Sequence, residues 1–267
     1  WQYRTGAFTG REQVMGRTAF ENTPILVDDK LVMCTPFNEV IAVHPGTGKE
    51  IWKFYPRIDI NQRPANQFVC RGVSQWRDTQ AAPAAPCATR VFTGTNDSRL
   101  IALDAATGQP CADFGVNGEV QIAPSMALRW PGERQITSAP AIVGYVVVAG
   151  SAISDNLRVT APAGTVHAFD ARTGEPRWSF DPVPRDAADP AFATWTNGAP
   201  TEGHANVWST ISVDEKRGWV FLPTSSPSPD FFGGLRPGDN RYANSVVALE
   251  GATGRVIWHF QTVHHDV

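Results

Sequence analysis

The chain has 267 residues, 42% of them hydrophobic, which is enough to bury a sizeable core. Its formal net charge is −3 and its isoelectric point is about 6.1, without runs of Lys or Arg, which argues against a nucleic-acid partner. Residues 135–154 carry no charge, but Val-rich stretches interrupted by Pro and Gly predict two paired strands there instead of a membrane helix.

A seven-residue signature, Ala-x-[Asp/Glu/His]-x-x-Thr-Gly, recurs at residues 42–48, 102–108, 168–174 and 248–254. Four residues after the last glycine of three copies stand Trp52, Trp178 and Trp258, whereas the second copy has Ala112. Six residues after the glycine stand Phe54, Phe114, Phe180 and Phe260. Such fixed offsets indicate one supersecondary unit that is used several times.

In chain order, each unit predicts the same strands. Residues 1–6 look like the outer strand of a preceding unit, and paired apolar stretches follow at 24–27 with 31–34 and at 141–143 with 146–148. The signatures grow out of strands at 39–43, 100–103, 166–169 and 246–249. Each Thr-Gly turn then leads into a strand whose Trp and Phe share one face. Four strands per unit make the blade of a β-propeller.

The predicted fold is therefore all-β, with about four propeller blades in one domain over residues 1–267. A bare blade needs about 40–50 residues, and the signatures lie 60 to 80 residues apart. The surplus predicts long, function-bearing loops at residues 55–88, 116–136, 155–164, 181–207 and 224–244. Both chain ends fall inside a repeat, so we expect part of a larger propeller.

Four cysteines are present. Cys87 precedes one strand of the second blade, and Cys111 is predicted on its outer strand beside the missing Trp position. A disulfide between them would reinforce the blade that lacks its Trp and would fit an oxidising compartment. Two buried thiols are the alternative. Cys34 lies within an apolar strand, where we expect an ordinary core residue.

Several stretches exceed what a generic propeller requires. They are residues 70–73 (Cys-Arg-Gly-Val), 150–156 (Gly-Ser-Ala-Ile-Ser-Asp-Asn), 234–245 (Gly-Leu-Arg-Pro-Gly-Asp-Asn-Arg-Tyr-Ala-Asn-Ser) and 258–266 (Trp-His-Phe-Gln-Thr-Val-His-His-Asp). With the repeats, they resemble the pyrroloquinoline-quinone (PQQ) dehydrogenases of the glucose/quinate/shikimate branch over essentially the whole chain. The resemblance implies half of an eight-bladed ring, with PQQ and a divalent cation on its axis.

The resemblance also implies cofactor-binding residues. Arg4 is similar to an arginine that meets a PQQ carboxylate, which a planar guanidinium can bind with two hydrogen bonds. Glu21 resembles an acidic PQQ contact, and Arg71 matches the Arg-Gly pair near the quinone. Without the resemblance, Arg4 would be interpreted as a solvated charge and Glu21 as a turn carboxylate.

Trp208 is similar to the tryptophan on which the PQQ ring stacks, and a large flat indole suits a tricyclic quinone. It lies outside the blade register that accounts for three other tryptophans. Thr137 and Ser151 look like hydroxyl donors to the cofactor, although both also suit strand ends.

Asp155 and Asn156 correspond to the family's cation ligands, and Ser226 stands where relatives usually carry an asparagine ligand. An oxygen-only set suits Ca²⁺ or Mg²⁺. An Asp-Asn turn is the alternative interpretation.

Two departures from the family pattern bear on activity. Gln67 replaces a histidine that the glucose branch places over the quinone, which favours another polyol. The family's catalytic Asp lies just past the His264-His265-Asp266 run, so we expect this chain by itself to lack the general base. Adjacent side chains on a strand point to opposite faces, so the run itself is interpreted as structural.

The expected function is PQQ-dependent oxidation of a sugar, polyol or cyclic hydroxy acid, with electrons passing to a quinone acceptor. The resemblance implies a periplasmic protein that is membrane-anchored in its full-length relatives. One alternative is a non-catalytic propeller scaffold. Another is a half-propeller that closes into a ring with a second copy or with a separate other half.

Overall fold

The computed structural model describes residues 1–82, 84–155, 157–196 and 203–266. Three short 3-10 helices lie at Glu12–Arg17, Phe192–Thr194 and Gly233–Leu235. The strands of the first half of the chain are Thr18–Ala19 (β1), Ile25–Val27 (β2), Lys30–Cys34 (β3), Val40–Val43 (β4), Glu50–Phe54 (β5), Phe68–Val69 (β6), Ser74–Arg77 (β7), Thr89–Gly94 (β8), Arg99–Asp104 (β9), Glu119–Gln121 (β10) and Arg134–Gln135 (β11). Those of the second half are Ala141–Val143 (β12), Val146–Ala149 (β13), Ala152–Ile153 (β14), Val166–Asp170 (β15), Pro176–Phe180 (β16), Ser212–Asp214 (β17), Trp219–Pro223 (β18), Ser245–Glu250 (β19) and Val256–Gln261 (β20).

Sixteen of these strands form four antiparallel sheets of four strands each, which confirms the predicted blades, and the others pair as β1 with β6 and β11 with β14. Blade 1 contains β2 to β5, blade 2 contains β7 to β10, blade 3 contains β12, β13, β15 and β16, and blade 4 contains β17 to β20. Within each blade the strands follow one another in chain order. The core lies between blades: Ala42 and Trp52 of blade 1 share one apolar cluster with Val91 and Leu103 of blade 2. Burial of this kind drives the sheets to stack face to face.

A tryptophan indole that ends one blade, or that precedes blade 1, hydrogen-bonds to the signature turn of the blade that follows it along the chain. Its Nε1–H donates to the carbonyl of the residue three positions after the signature alanine: Trp1 to Pro45 (2.9 Å), Trp52 to Ala105 (3.2 Å) and Trp178 to Gly251 (2.8 Å). The signature glycine is required beneath the ring, because a Cβ on Gly108 would lie 2.5 Å from Trp52 and the backbone there has φ +72°. Residues 1–6 contain no strand, yet Trp1 makes this contact with blade 1.

Blade 2 departs from the pattern because Ala112 cannot make the indole contact. Its last strand is β10, whereas the sequence predicted that strand at Cys111 and Phe114. Those two residues lie instead in the connection before β10, where Phe114 is buried against Phe92 with ring centroids 5.4 Å apart. Cys111 is bonded to Cys87, which confirms the predicted disulfide.

Polar contacts hold blade 2 to blade 3 in place of the missing indole. The guanidinium of Arg90 donates to the carbonyl of Arg172 (2.6 Å), and the guanidinium of Arg172 binds the Asp78 carboxylate at 2.6 Å. A different indole, that of Trp76 on the first strand of blade 2, donates to the carbonyl of Gly144 (3.0 Å). The seam between these blades therefore depends on charge as well as on packing.

A second disulfide joins Cys34 of β3 to Cys70, which stands directly before Arg71. The sequence placed Cys34 in the core, and its side chain is indeed fully buried, but it is bonded and not a free thiol. Spacing could not identify this pair, because 36 residues separate the two cysteines along the chain.

Within the described residues, no helix has the length and hydrophobicity that crossing a lipid bilayer requires. The uncharged stretch at 135–154 forms β12 and β13 as predicted.

Candidate functional site

Four candidate residues occupy equivalent positions, three or four residues before the first strand of each blade. They are Glu21 before β2, Arg71 before β7, Thr137 before β12 and Trp208 before β17. Hydrogen bonds join these entry segments in turn. The Thr23 amide donates to the Arg71 carbonyl (3.0 Å), the Arg71 amide donates to the Thr137 carbonyl (2.9 Å), and the Thr137 hydroxyl donates to the Trp208 carbonyl (3.0 Å). The repeat of the fold therefore gathers them in one place.

These entry segments enclose a cleft of about 220 Å³. It is lined by Asn66, Gln67, Val69, Arg71, Gln135, Thr137, Ala152, Ile153, Asp155, Asn206 and Trp208. The lining combines an aromatic face, a cation, a carboxylate and several amides. Such a concave site with a few convergent polar groups is typical of a small-molecule pocket.

Trp208 and Arg71 form the flat wall of this cleft. The Trp208 side chain is 46% exposed, and the Arg71 guanidinium lies over its ring at 5.1 Å from the centroid. Glu21 binds Arg71 from the other side at 2.8 Å. Nη1 of Arg71 is buried and has no hydrogen-bond partner among the described residues. An indole face beside an under-used guanidinium suits a flat ligand that carries carboxylates.

Asp155 lies at the rim of the cleft, and its side chain reaches solvent. The wall nevertheless shields the carboxyl enough that burial raises its pKa above the ordinary range. The nearby Asp230 carboxylate raises the pKa further, whereas His204 and a hydrogen bond with Asn66 oppose the rise. One carboxylate oxygen of Asp230 is itself buried without a partner in the described part of the chain. Asp155 and Asp230 are close enough to interact electrostatically, and two neighbouring carboxylates favour a cation.

The carboxylates of Asp155 and Asp230 and the amide of Asn66 fit the divalent cation that the sequence predicted, because Ca²⁺ and Mg²⁺ prefer carboxylate and amide oxygens. Asn156, the second predicted ligand, lies outside the described residues. In the part of the chain that the structure describes, the ligand atoms of Cys87, Cys111 and Asp113 lie within 4.8 Å of one another. They do not form a metal site, because both sulfurs belong to the disulfide. Asp155 and Asp230 are therefore the carboxylates that merit attention here.

Ser226 is not among the residues that line the cleft. Its hydroxyl hydrogen-bonds with the Asn244 side chain (2.9 Å) and with the Asp266 carboxylate. Asp266 in turn is paired with the fully buried Arg236 at 2.7 Å. The structure thus places Ser226 in a network beside the site, with its oxygen already engaged.

Ser151 and Arg4 also lie apart from the lining residues. Ser151 is fully buried directly behind the wall, where its carbonyl accepts a hydrogen bond from Asn206 (2.6 Å) and its hydroxyl has no partner among the described residues. Arg4 is exposed on the N-terminal segment, whose neighbouring Thr5 carbonyl accepts from Lys53 of β5 (3.0 Å). The structure brings neither side chain into the cleft.

The His-His-Asp run follows β20 in a bend, not on a strand as the sequence analysis assumed. His265 contacts the Gly238 carbonyl through Nδ1 (2.9 Å), and Asp266 pairs with Arg236. These contacts agree with the structural role that was predicted, although for a different geometric reason.

Three amide residues of the cleft escaped the sequence analysis. The Gln135 side chain donates to the Gln67 carbonyl (2.9 Å) and to Asn96 (2.7 Å), and Asn66 and Asn206 complete the set. Each stands close to a candidate residue that was chosen by motif. Their shared position ahead of β7, β12 and β17 is the signal that could have found them.

Comparison with known proteins agrees with this geometry. Residues 1–267 match the family model of the PQQ glucose/ethanol/alcohol dehydrogenase β-propeller domain. The chain is 37% identical to quinate/shikimate dehydrogenase (quinone) of Acinetobacter baylyi, covering 100% of this chain and 34% of that protein. It is 34% identical to quinoprotein glucose dehydrogenase A of Acinetobacter calcoaceticus, covering 100% and 34%. It is 37% identical to the glycerol dehydrogenase large subunit of Gluconobacter oxydans, covering 99% and 35%.

A solved structure, quinohemoprotein alcohol dehydrogenase from Comamonas testosteroni, superposes with a TM-score of 0.74 at 28% identity, over 94% of this chain and 36% of that one. The chain spans about a third of the length of these relatives. The family match over the whole chain, the four blades and the cleft at their entry segments lead to one assignment: the chain belongs to the β-propeller domain family of the PQQ-dependent dehydrogenases.

Proposed function

We propose that the protein oxidises a hydroxyl group of a polyol, sugar or cyclic hydroxy acid, with PQQ and a divalent cation held in the cleft of Trp208 and electrons passed to a quinone acceptor. The observation that carries the proposal is the convergence of Trp208, Arg71, Thr137 and Asp155 on one cleft. Support for the substrate class comes from relatives that are named for quinate and shikimate, glucose and glycerol.

Trp208 supplies the stacking surface for the cofactor. Its backbone carbonyl accepts hydrogen bonds from the hydroxyls of Thr137 (3.0 Å) and Ser138 (2.5 Å), which fix the segment that carries the ring. Thr137 was predicted to donate to the cofactor, but its hydroxyl donates to this carbonyl, so its oxygen is left to accept from a ligand. A preset aromatic floor lowers the ordering cost of binding.

Arg71 supplies the positive charge. It already has Glu21 as a partner on one side, and its free Nη1 can donate to a ligand carboxylate without breaking that pair. Glu21 stays in the proposal as the partner that orients Arg71. Arg4 and Ser151 remain predicted cofactor contacts that would have to move to reach a ligand in this cleft.

Asp155, together with Asn156, would hold Ca²⁺ or Mg²⁺ at the rim. The bound cofactor supplies a two-electron acceptor, and the cation supplies Lewis-acid polarisation. The chain's own contribution is to orient both, to keep Asp155 ionised by pairing it with the cation, and to line the substrate side of the cleft with neutral amides. Ser226, the third predicted ligand, would have to release its hydrogen bonds to Asn244 and Asp266 before it could bind the cation.

Gln67 bears on substrate choice. An uncharged amide at the cleft can both donate to and accept from substrate hydroxyls, but it cannot carry a proton as histidine does. We infer that Gln67 favours a polyol or a cyclic hydroxy acid over glucose.

We also infer that the protein works in an oxidising compartment such as the periplasm. All four cysteines are paired in disulfides, and disulfides persist in such compartments and are rare where thiols are kept reduced.

The direct experiment is a PQQ titration of the full-length protein in Ca²⁺, followed by quenching of tryptophan fluorescence. Wild-type protein should bind saturably, and Trp208→Ala should weaken binding about tenfold or more. Trp219→Phe, on β18 outside the cleft, is the matched control and should bind like wild type. Absence of PQQ binding by the wild-type protein, or equal affinity in Trp208→Ala, would reject the assignment.

A further inference from the structure

Arg134 is a fully buried arginine outside the cofactor cleft. It lies on β11, between blade 2 and blade 3, and its side chain is 1% exposed. Its backbone is anchored, because the carbonyl accepts the hydroxyl of Ser98 (2.9 Å) and the strand pairs with β14. All three guanidinium nitrogens are buried and have no hydrogen-bond partner among the described residues. A backbone held this firmly keeps the guanidinium inside the protein.

No carboxylate balances this charge in the described part of the chain. The adjacent Glu133 is bound by Arg158 through two hydrogen bonds of 2.9 and 2.8 Å. Asp97, across the neighbouring connection, is bound by Arg99 at 2.8 Å. Burial alone lowers the pKa of Arg134, to about 10, so the guanidinium stays charged at neutral pH. An unpaired buried cation is strongly unfavourable unless something compensates it.

His167 on β15 is a half-buried residue that lies within electrostatic reach of Arg134. Its Nε2 is buried and likewise lacks a partner among the described residues. Burial, and next the charge of Arg134, lower the pKa of His167 to about 4, so the ring is neutral at pH 7. A neutral imidazole can turn an N–H toward an anion, and it does not add a second positive charge that would repel Arg134.

Arg134 also borders a cavity of about 350 Å³ that lies between the connections following β5 and β10. Asn96 and Gln121 are among its polar lining residues. This cavity is separate from the cleft of Trp208, with which it shares none of its lining residues. Asp59 and Asp97 also line the cavity, and the guanidinium nitrogens of Arg134 lie behind its wall, so the cavity brings solvent close to Arg134 without reaching those nitrogens.

We propose that Arg134 and His167 form an interior binding site for a small monovalent anion, between blades 2 and 3, that stabilises the propeller. Chloride is the probe of this chemistry: it is small enough for an enclosed site and accepts several N–H donors at once. The site does not depend on PQQ, so the proposal stands apart from the proposed function.

Two measurements on the full-length, metal- and PQQ-free protein test it. Thermal unfolding should show a Tm about 3 °C or more higher in 100 mM chloride than in methanesulfonate of equal ionic strength. Arg134→Gln should remove that difference, whereas Arg217→Gln, which changes an exposed surface arginine of blade 4, should keep it. Crystals soaked in bromide should show an anomalous peak within hydrogen-bonding distance of the Arg134 guanidinium.

Equal Tm values in the two salts for wild-type protein would overturn the proposal, as would a chloride effect that persists in Arg134→Gln. If Arg134→Gln does not fold, the bromide experiment on wild-type crystals decides the question. No peak beside Arg134 would then overturn the proposal, because it would leave water as the partner of this guanidinium.

Discussion

The guanidinium carbon of Arg71 lies 5.1 Å from the centroid of the Trp208 ring, so the entry segments of blades 2 and 4 meet across the cleft. The same guanidinium is held by Glu21, ahead of blade 1, at 2.8 Å. The entry segments of blades 1, 2 and 4 thus meet in the contact of Glu21, Arg71 and Trp208. A flat ligand that takes the Trp208 face must share it with Arg71 or move Arg71 aside.

Arg71→Ala should weaken PQQ binding by about 10- to 100-fold, because a hydrogen bond between charged groups is worth about 1.5–3 kcal/mol. Fluorescence titration measures the loss. Arg71→Lys should recover only part of the affinity, since a single ammonium cannot hold Glu21 with one nitrogen and a ligand carboxylate with another, as the planar guanidinium can. Arg77→Ala, on β7 and paired with Asp28 away from the cleft, is the control. Equal losses in Arg71→Ala and Arg77→Ala would contradict a direct contact.

Gly108→Ala should destabilise the protein by about 2–4 kcal/mol, the sum of a left-handed backbone penalty and a collision with an indole. The new Cβ would lie 2.5 Å from Trp52. Gly218→Ala is a close match, since its φ of +67° resembles the +72° of Gly108 but nothing lies within 4 Å of its Cβ. That variant should cost only about 1–2 kcal/mol. Chemical denaturation checks both, and similar losses would mean that the indole contact has no special weight.

Removing either disulfide by paired Cys→Ser changes should lower stability by about 3–4 kcal/mol. The two pairs should differ in their effect on binding. Cys34–Cys70 holds the residue directly before Arg71, so Cys34→Ser with Cys70→Ser should also weaken PQQ binding. Cys87→Ser with Cys111→Ser should leave the affinity unchanged, because that bridge lies within blade 2. Denaturation and fluorescence titration together separate these outcomes, and unchanged affinity in both double variants would show that Arg71 does not need its bridge.

Asp155 should make the metal-free protein less stable as pH rises. Its pKa is raised in the folded state, chiefly by burial, so its favourable contribution is complete below the ordinary pKa of Asp and is lost as pH passes through the raised value. A divalent cation binds the ionised form, and its stabilisation should therefore fade on acidification through the same range. The Ca²⁺-induced rise in Tm, measured from pH 7 to pH 4, should follow this course.

In Asp155→Asn, Ca²⁺ should not raise the Tm at any pH. Without metal, the stability of this variant should not fall with rising pH as that of the wild-type protein does. Asp214→Asn removes a carboxylate that is paired with Arg217 on blade 4 and should respond to Ca²⁺ like wild type. A full response in Asp155→Asn would remove Asp155 from the cation site.

The blades could be predicted from the sequence because their contacts recur at fixed spacing. In three copies the signature alanine lies opposite the Trp of the following strand, namely Ala42, Ala168 and Ala248. In all four copies the glycine that ends the signature has a positive φ. The prediction for blade 2 was wrong because, without Trp at position 112, the residues after the signature form a connection, and the last strand begins only at Glu119, which pairs with Arg99 of β9. Its position is set instead by Cys87 and by the burial of Phe114.

The candidate site was predictable only in part. Trp208, Arg71, Thr137 and Asp155 were chosen by motif. The first three meet because blades 2, 3 and 4 deliver their entry segments to the same cleft, and Asp155 joins them from the connection after β14. The pairing of Cys34 with Cys70 and the approach of Asp230 to Asp155 depend on chain segments that are far apart in sequence. No spacing rule within a single segment contains that information.

Arg172 and Asp78 give the junction of blades 2 and 3 a property that its indole-fastened counterparts lack. Asp78 is buried but the Arg172 side chain is 37% exposed, so electrolyte screens this ion pair in part and leaves a docked aromatic ring almost unaffected. At high salt concentration, blades 2 and 3 should therefore separate before the other blades do. Amide hydrogen exchange should then be faster in β12 and β13 than in β3 and β4. The alanine at position 112, where the other three blades have Trp, thus determines which blade junction opens first.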